Sequence, residues 1–349
     1  MVQVMAAPVQ SSSRADSECA WNAFVHGHEN ATLFHDIRWR SVIADALGCR
    51  SYYLEAWESA RLAGVLPLFL VRVSPFKSAL VSIPFLNYGG PLADTETARH
   101  ALLSDAIELA KDLRVEYLEL RSREPMDDRF SSLSHKETYE IDLTPGRDAI
   151  WRLLKASVRN KVRKASKLGV TVSQGKDLLP EFYRCFSRNM RDLGTPVLGL
   201  HFFEQVLRRF PRESHVFVAS REGRPVGGKF VMAWRGIMHF IWASSLRQML
   251  SCAPNDLLNW RAIEYACEQQ MTRCDFGRST RESTHAAYKK QWAAVPRPLF
   301  WEYYGSGAPR GDSHVRTATR PYRCASLVWR RLPLCIANRL GPPIAKHLP

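Results

Sequence analysis

Ala106-Ile107-Glu108-Leu109-Ala110, followed by Leu118-Glu119-Leu120-Arg121-Ser122, is answered later in the chain by Ala262-Ile263-Glu264-Tyr265-Ala266 and then Asp275-Phe276-Gly277-Arg278-Ser279. Both stretches read as a helix that begins Ala-Ile-Glu, with small or apolar residues at helical spacing, and then a short strand ending in Arg-Ser. The agreement continues outward. Upstream of the first copy, Tyr52–Val73 is an apolar strand, a polar turn around Ser59–Gly64 and a second strand. Upstream of the second, Val216–Trp234 repeats that plan, with its turn at Glu222–Pro225 and Gly227 standing where Gly64 stood. Trp21, Phe24 and Trp39 find a looser echo in Phe182, Tyr183 and Phe203. One matched amphipathic helix is a common coincidence; three elements in the same order indicate a duplicated unit.

Each unit reads as helix, β-hairpin, further strand, helix, strand. Strands are predicted at Ser51–Trp57, Leu62–Val73, Ala79–Pro84, Val115–Leu120 and Glu137–Leu143 in the first unit. In the second they fall at Val170–Ser173, Val216–Ser220, Val226–Trp234, Met238–Ala243, Arg273–Phe276 and Pro298–Tyr304. Hairpins mixed with helices give an α/β (α+β) class, with mixed, mostly antiparallel sheets flanked by helices. No GxGxxG follows a strand and no P-loop is present, which sets aside a doubly wound nucleotide-binding sheet. A chain of 349 residues exceeds what one core usually serves. The boundary is expected near Leu143-Thr144-Pro145-Gly146, where a strand gives way to a turn and a helix. The expected organisation is a flexible N-terminus (1–18), a first domain (19–144), a second domain carrying most of the site (145–305) and a basic C-terminal extension (306–349).

The composition, 46% hydrophobic and 24% charged, is that of a globular protein and not of a disordered one. A formal net charge of +15 calls for an anionic partner: nucleic acid, a phosphorylated small molecule or an anionic membrane surface. The cysteines are scattered without a CxxC or a Cys/His ligand spacing, which predicts reduced thiols and neither a disulfide framework nor a metal site. Met1–Ser17 lacks the apolar core of a secretion signal, and Leu62–Val73 is too short to span a bilayer. A cytoplasmic protein is expected, with any membrane contact peripheral and at the inner face.

Three segments have the residues for chemistry. From Trp151 to Leu168, Trp151, Leu154, Val158, Val162 and Ala165 recur every three or four residues and predict one buried helical stripe. Around them stand Arg152, Lys155, Arg159, Lys161, Arg163, Lys164 and Lys167, with no acid between Asp148 and Asp177. Such a run is often only a solvated face, yet like charges four apart repel, and a phosphate-rich ligand would relieve them. The second segment, Cys274–Trp292, leaves a strand at Phe276, turns at Gly277 and presents Arg278, Ser279, Thr280 and Arg281 before Tyr288-Lys289-Lys290. A loop with several donors at a strand end suits a substrate site as well as it suits a polar surface loop. The third, Asn87-Tyr88-Gly89-Gly90-Pro91, is either a turn or a place where backbone amides approach an anion.

These segments together resemble the Fem-type (FemAB-like) aminoacyltransferases, more narrowly those associated with exosortase (PEP-CTERM) exopolysaccharide systems. The resemblance spans about residues 20 to 305 and rests on Asn87–Leu92, Ser157–Val172 and above all Asp275–Trp292. It implies tandem GNAT-like (acyl-CoA N-acyltransferase-like) domains, in accord with the repeat. It implies transfer of an aminoacyl or acyl group onto an amine of a cell-envelope or exopolysaccharide precursor, without a tightly bound cofactor or metal. The donor would be aminoacyl-tRNA or acyl-CoA as co-substrate, and the acceptor a phosphate-bearing envelope precursor. By position, Lys289, with Tyr288 before it and Lys290 as the neighbouring register, matches the family's functional lysine. Arg159 and Arg163 fall where the family binds acceptor phosphate, and Arg278 and Ser279 border the same cleft. Arg40 after Trp39 matches the cationic residue of the family's N-terminal segment, and Tyr88 of the Asn87–Leu92 motif is a further substrate-binding candidate. The chain departs from the family where Ser283-Thr284-His285-Ala286 replaces a glycine, where Gln291-Trp292 is followed by Ala293, and in having no coiled-coil arm.

Two other functions fit less well. An acyl-CoA-dependent GNAT N-acetyltransferase carries a Q/RxxGxG/A loop, to which Arg224–Lys229 is an imperfect match at a hairpin. A non-catalytic scaffold in polysaccharide assembly would keep the fold and not the chemistry. A monomer is expected. Beyond the repeat, Arg316, Arg320, Arg323, Arg330, Arg331, Arg339 and Lys346 interleave with Leu327, Val328, Trp329 and Ile336, with no acid after Asp312. The stretch 316–346 is thus either a peripheral membrane contact or a terminal helix packed on the second domain and broken at Pro333.

Overall fold

A computed structural model describes residues 2–6, 13–307 and 320–348. Arg316, Asp312 and residues 7–12 of the expected N-terminal segment lie outside the described residues. The chain forms two compact units. One holds the described residues up to His135 with those of Leu299–Ser313 and Lys346–Pro349; the other holds Lys136–Pro298 and the described part of His314–Ala345.

In the first unit, β1 (Val2–Ala6) pairs antiparallel with β2, in a segment that reads as a polar tail in the sequence. Helices α1 (Ser13–Gly27) and α2 (Arg38–Leu47) precede β2 (Arg50–Glu58), β3 (Arg61–Ser74), β4 (Lys77–Val81), the short β5 (Leu92–Ala93), α3 (Glu96–Asp112) and β6 (Tyr117–Ser122). β2, β3 and β4 are antiparallel neighbours, and β4 runs parallel to β6. Thr95 caps α3 by accepting the Ala98 amide, and the helix buries Ala98, Leu102, Leu103, Ala106 and Ile107 against the sheet. Gly64 lets this helix pack closely, because a Cβ there would lie 2.9 Å from the Leu102 methyl, which would have to shift.

The chain leaves through β7 (Ser131–Asp142) into the second unit: α4 (Arg147–Leu153), α5 (Ala156–Lys167), β8 (Val170–Gln174), α6 (Leu179–Leu193), α7 (Leu200–Arg209), β9 (Ser214–Arg221), β10 (Arg224–Trp234) and β11 (Ile237–Ser245). Then come α8 (Pro254–Glu268), β12 (Arg273–Asp275), β13 (Ser279–Thr280), α9 (Thr284–Lys290) and β14 (Val295–Tyr304), and after residue 320 α10 (Arg320–Arg331) and α11 (Leu334–Ala345). The sheet order is β8-β9-β10-β11-β12-β7, antiparallel except for β11 beside β12. Its hairpins close through Glu222-Gly223 and Arg235-Gly236, both residues of each pair at positive φ, as two-residue turns matched to strand twist require.

The order strand, strand, strand, helix, parallel strand is common to β2-β3-β4-α3-β6 and β9-β10-β11-α8-β12. The repeat read from the sequence is the repeat of the fold, and the class is mixed α/β with mostly antiparallel sheets flanked by helices. The strand that closes each repeat leaves it. Residues 300–304 of β14 pair with β6 in the first unit, and residues 140–142 of β7 pair with β12 in the second. The single helix expected over Trp151–Leu168 is two, because Leu154 and Lys155 are extended (ψ 144° and 143°). The apolar stripe survives the break: Leu154, Val158, Val162 and Ala165 are all buried.

Candidate functional site

The site is built where β11 and β12 part. Their parallel pairing covers only Ile237/Arg273, Met238/Cys274 and His239/Asp275, while β11 continues to Ser245. A register shift against β10, in which Phe230 faces Trp242 and Val231 faces Phe240, leaves Ile241 as an extra residue in β11 just past that point. A bulge bends the strand that carries it, so β11 turns aside where its neighbour ends.

Asp275 ends β12 and is fully buried. It accepts the Gly277 amide at 2.8 Å and the Thr138 hydroxyl, and stands 3.4 Å from His239 Nδ1. These contacts fix the turn at Gly277, whose φ of 73° suits glycine. The turn is held from its other side by Lys289, whose Nζ donates to the carbonyls of Gly277 at 2.7 Å and Arg278 at 3.0 Å. Burial lowers the Lys289 ammonium to about 8; the Asp275 carboxylate counters this and the Arg278 cation adds to it. An ammonium has three N–H donors, so one is left after these two carbonyls. The buried Tyr139 ring stands 5.6 Å from Nζ and anchors its hydroxyl on Glu137 at 2.7 Å.

A second lysine, which the sequence reading did not single out, belongs to this place. Lys229 of β10 is only 4% exposed, and its Nζ lies 3.7 Å from the ring centre of Phe240 and 5.9 Å from that of Phe276. Burial brings it down to about 7, opposed by Cys274 and reinforced by the charge of Lys289. Among the described residues no carboxylate stands within ion-pair distance of it. Phe276 thus links the two amines: its ring faces Lys229, and the next two carbonyls in the chain hold Lys289.

Of the residues singled out from the sequence, Lys289, Arg278 and Ser279 meet here, with Ser279 buried where β13 pairs with Glu137. Lys290, on the same helix, is exposed. Tyr288 points the other way: its hydroxyl donates to Asp256 at 3.2 Å and accepts from Asn259 at 3.0 Å, tying α9 to α8. Arg159 caps α4, donating to the carbonyls of Leu154 at 2.6 Å and Arg152 at 2.9 Å. Arg163 lies over Trp151, 5.4 Å away, beside a groove of about 310 Å³ lined by Trp260, Arg261 and Glu264. Arg40 and Tyr88 belong to the first unit. Arg40 rests on Tyr53 at 5.3 Å, and Tyr88 is buried edge-on to Phe34 with Arg123 over its ring at 5.4 Å. The glycines of the Asn87–Pro91 turn serve packing: a Cβ at Gly89 would lie 2.8 Å from Ile83, and one at Gly90 3.0 Å from Ser122. Gly227 and Gly228 likewise admit Ser245 and Phe182 and form no phosphate loop. No group of three or more His, Cys, Asp or Glu among the described residues is placed to hold a metal.

Asp275→Ala leaves the Gly277 amide and the Thr138 hydroxyl buried without their acceptor. It is expected to lower the stability of the second unit by about 3 kcal/mol, read from urea unfolding, since each orphaned donor costs roughly 1–3 kcal/mol.

Residues 152–290, inside the second unit, match the family described as acetyltransferase (GNAT) domain. No curated protein matches the sequence. Among solved structures, FemX is similar with a TM-score of 0.61 and 14% identity, over 86% of this chain and 96% of that one. A tandem GNAT protein from the clavulanic acid biosynthesis pathway gives 0.58 and 11%, over 89% and 100%. The C-terminal domain of a putative lysylphosphatidylglycerol synthetase from Agrobacterium fabrum gives 0.58 and 11%, over 90% and 95%. At these identities the likeness is one of fold: two GNAT-like domains in one chain, the second carrying the acetyltransferase-type domain.

Proposed function

We propose that this protein is an acyltransferase that moves an aminoacyl or acyl group from an activated donor onto an amine of a cell-envelope or exopolysaccharide precursor. The observation that carries the reading is the half-buried ammonium of Lys289, fixed by two carbonyls at the mouth of the β11/β12 opening with one N–H left to donate. In the step envisaged, the acceptor amine attacks the donor carbonyl, a C–N bond forms, and the C–O bond of an ester or C–S bond of a thioester breaks. Lys289 donates to the carbonyl oxygen as its negative charge grows. Lys229, neutral in a large fraction near pH 7, takes the proton the amine must lose and passes it to the departing oxygen or sulfur, which leaves as the alcohol or thiol.

Aminoacyl-tRNA is the donor this reading favours. A CoA pyrophosphate takes the bare amides at a helix start, but the first turn of α8 carries the buried Asp256 carboxyl, which disfavours an anion there. The similarity to FemX and to a lysylphosphatidylglycerol synthetase domain points the same way, and the acetyltransferase-type match supports acyl-CoA as the second reading. The exosortase association and the phosphate-bearing acceptor rest on the Asn87–Leu92, Ser157–Val172 and Asp275–Trp292 resemblance, and a cytoplasmic place of action on the scattered cysteines and the N-terminus without the apolar core of a secretion signal.

A thermal-shift comparison tests the donor. Aminoacyl-tRNA at a hundred times its Kd is expected to stabilise the protein by about 2.7 kcal/mol, a rise of several degrees, and acetyl-CoA to give none. The reverse pattern replaces the donor. Mass spectrometry of envelope and exopolysaccharide precursors from a deletion strain then identifies the acceptor as the species that loses an acyl group; unchanged precursors leave the scaffold reading.

A further inference from the structure

The C-terminal helices are docked the wrong way round for a helix that only completes a core. In α11 the buried positions are Ala337, Gly341 and Ala345, four residues apart, and Gly341 has no room for a Cβ, which would lie 3.0 Å from the Val197 amide. One position back on each turn stand Ile336, Leu340 and Ile344, which are 42%, 46% and 41% exposed. A surface helix ordinarily hides its large apolar residues and shows its small ones. α10 behaves alike, with Leu327 and Val328 at 56% and 64% exposure. The helices are pinned in this orientation: Arg191 of α6 donates to the Leu332 carbonyl at 2.9 Å, and Arg330 to the Leu193 carbonyl at 3.2 Å.

The charge on this part of the chain has one sign. Arg323, Arg331 and Arg339 are exposed, and no acid follows Asp312. A second copy of so cationic a face would be repelled, whereas an anionic surface that accepts apolar side chains meets both features. No described helix is long and apolar enough to cross a membrane. We propose that the α10–α11 face is a docking surface for anionic lipid, in which Leu327, Val328, Ile336, Leu340 and Ile344 enter the interface and the arginines take the headgroup phosphates. Packing on the second unit and lipid contact are then one arrangement, since the helices pack through their small residues. The assignment does not depend on the acyl-transfer reading.

The test is sedimentation of the full chain with vesicles of phosphatidylcholine and with vesicles that also contain phosphatidylglycerol. Binding is expected only to the second, weakening as salt is raised. Ile336→Ser with Leu340→Ser, and separately Arg331→Gln with Arg339→Gln, are expected to weaken it about tenfold. The apolar pair is exposed, so the variants should keep the wild-type unfolding temperature; Leu327→Ser with Ile344→Ser serves as a second pair should the first unfold. Absence of binding to the anionic vesicles, or equal binding by wild type and variants, overturns the proposal. So does light scattering that shows a wild-type dimer turned into a monomer by the serine variants, which would assign the face to self-association.

Discussion

Lys229→Met is expected to stabilise the second unit at pH 7 by about 2 kcal/mol while lowering turnover about a hundredfold. Burial holds this amine near 7 in the fold, against 10.5 when free. By linkage that difference costs on the order of 4–5 kcal/mol of stability once the native lysine is protonated, and roughly that at neutrality. Removing the ammonium recovers it, less about 2 kcal/mol for the lost contact with the Phe240 ring. Because the folded form is the weaker binder of the proton, wild-type stability should rise with pH between about 7 and 10.5 and be flat above. In the methionine variant that rise should vanish, which urea unfolding across the range will show. A drop in stability on substitution would make Lys229 a structural element, and unchanged turnover would remove it from the chemistry. A residue that costs stability and supports activity is the signature of a functional group held in an unfavourable place.

Lys229 also shows where the sequence is legible and where it is not. The repeat could be read because both copies keep the same letters at matching places, Ala-Ile-Glu in the later turns of α3 and α8 and Arg-Ser in the segment that follows each helix, although neither helix begins at Ala-Ile-Glu as its letters suggest. The exchange of β7 and β14 could not, since either sheet would accept those strands and only the tertiary fold decides which ladder they join. The break at Leu154-Lys155 is masked because Leu154 and Val158 are four apart, so the apolar period runs straight through it. Arg159 is one of many cations on that segment, and its capping bonds become visible only once the helix has ended at Leu153. For Lys229 there was a signal. Val226, Phe230, Val231 and Met232 leave β10 without polar alternation, which predicts a strand covered on both faces. A lysine within such a strand is held out of bulk water. Lys289 and Lys290, by contrast, are adjacent letters with nothing in the sequence to separate them; the fold turns one inward onto two carbonyls and leaves the other in water.

Lys289→Met is therefore expected to lower kcat by about a hundred- to a thousandfold, the cost of losing one donor to a developing oxyanion, with KM changed only a few-fold. Lys290→Met should change either constant by less than about twofold, as substitution of an exposed side chain away from the chemistry does. The pH profile gives the sign. Lys289 acts as the ammonium, so activity should fall as pH rises through about 8. Lys229 acts as the free amine, so activity should climb as pH rises through about 7. The two charges repel, and the limbs belong to the pair and not to either residue alone. Lys289→Arg separates them: a guanidinium does not titrate in this range, so the descending limb should disappear while the ascending limb stays, with kcat only partly restored because the planar fork cannot reproduce the ammonium's contacts with the Gly277 and Arg278 carbonyls. An arginine variant that keeps the limb near 8 would show that another group governs it, and the role given to Lys289 would fall.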